Sequence, residues 1–227
     1  MRHGIVLFVL AILSFPRLAT SDEGRTVSVS GHGEIEVEPD VAIVEFGIYV
    51  FDRDLLKAKQ EADAKIARIL GVYGKLGIPL EYIRTTELNA KPKYRQHAED
   101  WEFLGYEITR SVDVTVRQMR QLNDVLNKSL EAGANRLEAI RLTSSKAEEL
   151  QDQALTQAIN NAKRRAARLA EGFGARVGKV ISIEDGRHGD GEIRYNLMFA
   201  PLFGEATYQP GRIKITAEVQ VILGLID

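Results

Sequence analysis

The sequence predicts an α+β fold in which an antiparallel sheet, built from hairpins, carries three main helices packed on one face. The prediction rests on stretches of alternating apolar and polar residues, on stretches with apolar residues every three or four positions, and on their order. That order is strand-strand-helix, strand-strand-helix, strand-helix-strand-strand, or ββα-ββα-βαββ. Because hairpins precede two of the helices, neighbouring strands are expected to pair antiparallel.

The first two strands lie on either side of a turn at Glu38-Pro39-Asp40 and are expected to form a hairpin. Residues 27–30 and 35–37 alternate between apolar and polar side chains. Residues 41–50 are more apolar, as in a deeply buried strand. Gly31-His32-Gly33 interrupts the first strand and predicts a bulge or a kink there.

The first helix is predicted to begin after Asp54, whose side chain can cap it. Its apolar face consists of Leu55, Ala62, Ile66, Ile69, Tyr73 and Leu76. Residues 82–94 and 103–117 then predict a strand pair, and residues 118–132 a second helix that stops at Gly133. Residues 137–143 form the strand that leads into the third helix.

The third helix carries a stripe of small residues and stops at Gly172. Ser145 and Glu148 have the spacing of a capping box at its start. The stripe includes Ala154, Ala158, Ala162 and Ala166. Because alanine is small, the helix axis is expected to approach an underlying sheet closely. Residues 179–184 and 212–223 are the last predicted strands.

Composition limits the functional classes. The chain has 227 residues, a formal net charge of -2 and no cysteine. The length suits one compact domain or two small lobes. A near-neutral charge argues against nucleic acid as a partner, because phosphate neutralisation requires a basic excess. The lack of cysteine excludes disulfides, thiol catalysis and zinc sites of the cysteine type.

The N-terminus predicts a cleaved secretory signal at residues 1–21, which leaves a mature domain at residues 22–227. Arg2 and His3 precede an apolar run at residues 5–13, and Ala19-Thr20-Ser21 offers small residues to a signal peptidase. The run is shorter than the roughly 20 residues that cross a bilayer. No later stretch is long enough either, so no transmembrane span is expected.

The sequence contains no recognisable catalytic, cofactor-binding or metal-binding motif. Its four histidines lack metal-ligand spacing, and nucleophile-elbow, P-loop and Rossmann signatures are missing. A polar cluster lacks the order of an EF-hand loop and indicates a turn rather than a cation site; it comprises Asp185, His188, Asp190 and Glu192. We therefore expect a protein that is not an enzyme, with no cofactor and no bound metal.

Residues 186–211 form a long connection that is unusually apolar. Long loops in compact domains tend to be functional or disordered, and this one is too apolar for simple disorder. It either folds back over the core or presents a contact surface. The predicted patch for a partner or for self-association consists of Tyr195, Leu197, Met198, Phe199, Leu202 and Phe203.

Several short motifs, in their order and spacing, resemble the SIMPL-domain family, which includes the 26 kDa periplasmic immunogenic proteins of bacteria. The resemblance covers nearly the whole mature chain. The motifs are Val29-Ser30-Gly31-His32-Gly33, Pro39-Asp40-Val41-Ala42, Leu76-Gly77-Ile78-Pro79, Gly105-Tyr106, Ala132-Gly133-Ala134-Asn135 and Gly178-Lys179-Val180. The resemblance implies an exported, mostly periplasmic protein associated with envelope or oxidative-stress tolerance. It brings no agreed catalytic motif, so no active-site residues are carried over.

Two functional hypotheses follow, with an unrecognised hydrolase or metal enzyme as a third alternative. The first is a non-enzymatic homo-oligomer of the envelope, which assembles or binds another envelope protein through exposed sheet edges and the apolar connection. The second is a monomeric periplasmic module that holds a small ligand or peptide in a groove between sheet and helices.

Overall fold

The computed structural model of the protein describes residues 24–86, 88–97, 100–186, 193–195 and 211–227. The strands are β1 (Thr26–Val37), β2 (Val41–Asp52), β3 (Ile83–Thr85), β4 (Asn89–His97), β5 (Asp100–Val116), β6 (Arg136–Thr143), β7 (Arg176–Asp185), β8 (Ile193–Tyr195) and β9 (Ile213–Ile226). The helices are α1 (Leu55–Lys75), α2 (Leu122–Ala132) and α3 (Ala147–Gly172), with single 3₁₀ turns at Leu80–Tyr82 and Met119–Gln121. The predicted α+β class with its three main helices is confirmed.

The described strands divide between two antiparallel sheets, where the sequence suggested one. The smaller sheet has the order β1-β9-β7. The larger has the order β3-β5-β2-β6-β8, with β4 also paired to β5. The predicted pairing of residues 82–94 with residues 103–117 is therefore confirmed, because β3 and β4 both pair with β5.

The predicted hairpin between the first two strands is wrong. β1 pairs along its whole length with β9, from Thr26 opposite Gly224 to Val37 opposite Ile213. β2 pairs instead with β5 and β6. Pro39 favours an extended connection between β1 and β2, because a proline fixes its own φ near −65° and favours an extended conformation for the residue before it. Glu38-Pro39-Asp40 therefore carries the chain from one sheet to the other.

Helices α1 and α2 pack on one face of the larger sheet. Alternate residues of β2 point into this core and are buried: Ala42, Val44, Phe46, Ile48 and Val50. Five residues of α1 are buried against them: Ala58, Ala62, Ile66, Ile69 and Tyr73. The predicted apolar face of the first helix is confirmed at its centre, while Leu55 is exposed at its start. Asp54 caps α1 as predicted, since its carboxylate accepts hydrogen bonds from the amides of Leu56 and Lys57 at 2.8 and 3.2 Å.

Helix α3 packs on the smaller sheet, chiefly over β1 and β9. Its alanine stripe is buried, which confirms the close approach predicted from its small residues. Gly31 is part of that approach, since a Cβ atom there would overlap the carbonyl oxygen of Ala158 and lie 2.7 Å from the amide nitrogen of Ala162. β1 runs through Gly31 and Gly33 with no shift in its register to β9, so the predicted bulge is wrong. The glycines make room for a helix.

The start of α3 also differs from the prediction. The expected capping box of Ser145 and Glu148 is not formed, and the residue at the capping position is Lys146. Ser145 instead donates its amide and its hydroxyl to the carboxylate of Asp40, at 2.6 and 2.5 Å. Although burial by itself raises the pKa of the Asp40 carboxyl, the hydrogen bonds from Ser145 outweigh it and hold that pKa below its usual value. This contact fastens the β1–β2 connection to the helix.

Candidate functional site

The predicted apolar patch falls mostly outside the described residues. Tyr195 lies in β8, where its backbone pairs with Ile140 of β6. Leu197, Met198, Phe199, Leu202 and Phe203 lie outside the described part of the chain, so the patch as a surface stays a prediction. The long connection predicted at residues 186–211 does contain one strand. A strand of three residues is too short to leave an alternating pattern in the sequence.

A second apolar surface, which was not predicted from the sequence, lies on β7. Among the described residues β7 pairs only with β9, so its other side is a free sheet edge. Val180 and Ile183 lie opposite Leu223 and Val221, and opposite residues of an antiparallel pair share a face. That face is covered by α3 over β1 and β9, whereas on β7 the cover reaches Val177 and leaves Val180 and Ile183 open. Val180 and Ile183 are consequently 56% and 63% exposed.

The exposed apolar surface continues beyond these two residues. Ile181, between them on the same strand, is 60% exposed. We refer to Val180, Ile181 and Ile183 together as the β7 edge. The sequence signal that could have revealed it is the run Val180-Ile181-Ser182-Ile183, which places apolar side chains on both faces of one strand. Such a strand is usually buried on both faces.

Charged residues flank the apolar part of β7. Lys179 precedes it and Glu184 follows it, and neither forms an ion pair with any residue that the structure describes. Arg176, at the start of the strand, donates to the carbonyl oxygen of Asp227 from Nε at 3.2 Å. The register between β7 and β9 shifts twice, between Val177 and Val180 and between Val180 and Ser182. These irregularities limit how far another strand could extend the sheet.

A polar cavity of about 310 Å³ lies beside Gly47 in the middle strands of the larger sheet; we call it the Gly47 hollow. Its lining comes from β2, β5, β6, the start of β4 and the segment between β3 and β4. The polar and charged residues of the lining are Glu45, Thr86, Asn89, Thr109, Arg110, Ser111, Arg136 and Glu138. The missing side chain of Gly47 opens the floor of the cavity.

A bulge in the β2–β6 ladder shapes the wall of the Gly47 hollow. The register shifts between Glu45, opposite Ala139, and Phe46, opposite Leu137, so Glu138 has no partner residue on β2. A Cβ atom at Gly47 would lie 2.5 Å from Oε1 of Glu138 and 2.9 Å from Cβ of Arg136. The bulge therefore places the Glu138 carboxylate directly at the floor of the cavity, as bulges often do beside functional sites.

Asn135 holds the start of β6 against β2 next to this cavity. Its amide nitrogen donates to the carbonyl oxygen of Gly47 at 3.2 Å. Its Nδ2 donates to the carbonyl oxygen of Tyr49 at 2.7 Å, and its Oδ1 accepts from the amide of Tyr49 at 2.8 Å. These bonds fix the position of Arg136, whose guanidinium carbon lies 4.8 Å from the centre of the Tyr49 ring.

Tyr49 is itself held in place from the other side. Its hydroxyl donates to the carboxylate of Glu107 at 2.9 Å, and Lys93 also binds that carboxylate. The hydrogen bond to Glu107, together with desolvation, raises the pKa of the Tyr49 hydroxyl. The hydrogen bond from Lys93, and then that from Tyr49, lower the pKa of Glu107. Tyr49 therefore stays neutral and Glu107 charged at neutral pH. The hydrogen bond between them holds the Tyr49 ring against the Arg136 guanidinium.

The rim of the Gly47 hollow carries charges of both signs. Glu45 pairs with Arg141 at 3.5 Å. Arg136 and Glu138 form no ion pair with each other or with another described residue. Thr86 and Ser111 are linked to each other through hydrogen bonds, including one of 2.9 Å from the Ser111 amide to Oγ1 of Thr86. The cavity can therefore offer a carboxylate, a guanidinium and neutral hydroxyl groups to one small molecule.

The Gly47 hollow lies among strands, so it is not the groove between sheet and helices that the sequence suggested. A cavity of about 570 Å³ lies between α1 and α2, lined by Arg68, Val72, Lys75 and Lys128 among others. The described residues contain no cluster of three or more histidine, aspartate or glutamate side chains placed to hold a metal ion. None of the described helices is both long and apolar enough to cross a membrane.

Sequence comparison relates this chain to bacterial proteins over most of its length. The uncharacterized protein YggE of Edwardsiella ictaluri is 33% identical over 162 residues, which cover 71% of this chain and 68% of that protein. YggE of Escherichia coli K12 is 28% identical over 210 residues, which cover 89% and 84%. The 26 kDa periplasmic immunogenic protein of Brucella melitensis is 22% identical over 188 residues, which cover 79% and 75%.

The family model that matches this chain covers residues 27–223, a range that runs from β1 into β9 and includes α1, α2 and α3. With nearly the whole fold inside the match, the chain belongs to the SIMPL family, described as proteins of unknown function (DUF541).

Proposed function

We propose that this chain is an exported, non-enzymatic protein of the bacterial envelope that acts by self-association through the β7 edge. The observation that carries the proposal is the exposure of Val180, Ile181 and Ile183, each more than half exposed on a free edge strand. Burying one large apolar side chain contributes about 1.5–3 kcal/mol. Clustered apolar residues on a free sheet edge are a common feature of association surfaces.

The proposed partner is a second copy of the chain, because β7 complements itself. When two copies of β7 lie antiparallel about a twofold axis between Ile181 and Ser182, Val180 of one copy faces Ile183 of the other. The same register brings Lys179 of one copy beside Glu184 of the other, and these charges have no ion-pair partner among the described residues of a single chain. One register therefore satisfies both the apolar and the charged groups, as an isologous interface requires.

Side-chain packing, rather than a long hydrogen-bonded ladder, would hold this interface. The two register shifts in β7 twist its backbone, and bulges of this kind discourage open-ended pairing of edge strands. A closed dimer, or a larger assembly built from such dimers, fits this geometry better than a filament does. Binding of another envelope protein to the same edge is the rival outcome.

The periplasmic location and the lack of an enzymatic role are also part of the proposal. Location is supported by the predicted signal at residues 1–21, by the absence of cysteine, and by the word periplasmic in the name of the Brucella relative. A non-enzymatic role is supported by the lack of a catalytic motif in the sequence. The proposed link to envelope or oxidative-stress tolerance rests on the family resemblance alone.

The test is the solution mass of the mature chain, residues 22–227, by size-exclusion chromatography with light scattering. We expect a discrete oligomer, and we expect the double variant Val180→Lys and Ile183→Lys to shift it to a smaller species while its circular dichroism is unchanged. Leu80→Lys is the matched control. Leu80 is 78% exposed, but it lies in the 3₁₀ turn before β3, a strand of the larger sheet, whereas β7 belongs to the smaller sheet. A monomeric wild-type chain, or an oligomer insensitive to the double variant, would contradict the proposal.

The second candidate function is a monomeric binding module for a small ligand or peptide. The Gly47 hollow favours it, because this cavity gathers charged and neutral polar groups from several strands. A monomeric mass in the same experiment would place this candidate first.

A further inference from the structure

We propose that the Gly47 hollow binds a small zwitterion, of the size of a free amino acid or a dipeptide. In this arrangement Glu138 binds the ammonium group of the ligand and Arg136 binds its carboxylate. The inference specifies the ligand of the second candidate function. It does not depend on self-association, because the β7 edge belongs to the other sheet.

The size of the cavity limits the ligand. A volume of about 310 Å³ is at the lower end of the range for small-molecule sites, about 300–1,000 Å³. Such a space suits an amino acid or a dipeptide, and it is too small for a folded peptide segment. The cavity is also open to solvent at its rim, so a ligand can enter without a movement of the backbone.

The charges at the rim favour a ligand that carries both signs. Glu138 and Arg136 are two positions apart on β6, yet no ion pair joins them. Arg136 is drawn toward the ring of Tyr49, while the bulge directs Glu138 over Gly47. A ligand with separate cationic and anionic ends could therefore complete two charge-assisted hydrogen-bonding contacts that the protein leaves open.

A ligand with a net charge fits this cavity less well. The other charged residues of the lining are already paired, Glu45 with Arg141 and Arg110 with Asp63. This leaves one carboxylate and one guanidinium as the charges without an ion-pair partner among the described lining residues. Thr109 and Ser111 lie beside them and supply neutral hydroxyl groups, which suit the polar main chain of an amino acid or a dipeptide.

The backbone around Gly47 is arranged to keep this space empty of side chains. A glycine within a strand weakens that strand and often marks a place where another group approaches closely. At Gly47 any side chain would meet the Glu138 carboxylate and the Cβ atom of Arg136. The glycine, the bulge at Glu138 and the Asn135 bonds act together, since each of them is needed to set Glu138 and Arg136 around one cavity.

The experiment is saturation-transfer difference NMR on the mature full chain, which tolerates both weak binding and a large assembly. The probes are L-alanine and L-alanyl-L-alanine, together with N-acetyl-L-alanyl-L-alanine, which lacks the ammonium, and L-alanyl-L-alanine amide, which lacks the carboxylate. We expect transfer to at least one of the two zwitterions, with an affinity about tenfold or more above that for either blocked dipeptide. Absence of transfer to both zwitterions, or equal binding of the blocked dipeptides, would overturn the proposal.

Variants locate the binding. Glu138→Gln and Arg136→Gln are each expected to weaken zwitterion binding about tenfold or more. Glu131→Gln is the matched control, because Glu131 is also an exposed glutamate without an ion pair to a described residue, but it lies at the α1–α2 cavity. Binding that survives both substitutions, or that falls equally in Glu131→Gln, would place the site elsewhere and overturn the assignment. Light scattering of the same samples shows separately whether self-association holds, so the two proposals can fail independently.

Discussion

The carbonyl oxygen of Ala158 in α3 occupies the place that a side chain at Gly31 of β1 would take. The same relationship repeats one turn earlier in α3, where a Cβ atom at Gly33 would overlap the carbonyl oxygen of Ala154. Backbone therefore meets backbone across the helix–sheet interface, with only alanine and glycine between them. The stability of the smaller sheet depends on this contact, because alanine buries little area and a close fit must supply the dispersion energy.

Gly31→Ala is expected to destabilise the protein by about 3 kcal/mol, because the added methyl group meets rigid backbone atoms and α3 must move away from β1. The measurement is the free energy of unfolding from urea denaturation followed by circular dichroism. Gly71→Ala in α1 is the matched control, since a Cβ atom there meets nothing within 4 Å. That substitution is expected to stabilise the protein by about 1 kcal/mol through its helix propensity. A Gly31→Ala variant as stable as the wild type would show that α3 does not pack this closely.

The same interface shows which parts of the fold the sequence could predict. The alanine spacing of α3 is a local pattern, so both the helix and its close packing were predictable. The partner of β1 was not, because Val37 pairs with Ile213 from the far end of the chain and no local pattern records such a contact. Gly31-His32-Gly33 predicted a bulge for the same reason, since the helix that requires the glycines is distant in sequence.

The candidate sites were less predictable than the fold. The Gly47 hollow depends on a shift of one residue between β2 and β6, and register across a sheet cannot be obtained from one strand alone. For the β7 edge the local pattern is clear but points the wrong way. Apolar residues on both faces indicate a buried strand, whereas the position of α3 over β1 and β9 leaves Val180 and Ile183 exposed.

The contact between Asp40 and Ser145 gives a second prediction, for acidic pH. Asp40→Asn leaves one acceptor oxygen for two donors, so it is expected to cost about 1 kcal/mol at neutral pH. The folded state lowers the pKa of Asp40 below its ordinary value of 3.8, so the stabilisation is present above that pH and is lost as the pH falls through the lower folded value. The asparagine variant should lack this acid-induced loss.

Urea denaturation at several pH values between neutral and about pH 3 measures both effects. Asp54→Asn is the matched control, because asparagine caps a helix about as well as aspartate and α1 should keep its stability at neutral pH. If Asp40→Asn and Asp54→Asn lower the free energy of unfolding equally at neutral pH, the Asp40–Ser145 contact does not stabilise the junction between the two sheets.

The buried pair of Tyr73 and Ser129 gives the third prediction, for alkaline pH. The two hydroxyl oxygens lie 2.9 Å apart, and Ser129 donates to the carbonyl oxygen of Val125 at 2.6 Å, so the Tyr73 hydroxyl is the donor within the pair. Burial raises the pKa of Tyr73 from 10.0 to about 12, with the contact to Ser129 acting weakly in the opposite direction. The unfolded chain therefore loses this proton at a lower pH than the folded one.

Stability linked to Tyr73 is present in full below pH 10.0 and is lost as the pH rises toward about 12. Each pKa unit corresponds to about 1.4 kcal/mol, so the loss across this range is about 2–3 kcal/mol. Tyr73→Phe is expected to cost about 1 kcal/mol at neutral pH, since it removes one hydrogen bond. It is also expected to flatten the alkaline decline by most of that 2–3 kcal/mol.

The measurement is urea denaturation at pH values from neutral to about 11.5. An alkaline decline of the same steepness in Tyr73→Phe and in the wild type would show that another group is responsible, and that Tyr73 is less enclosed by α1 and α2 than its position in the core indicates.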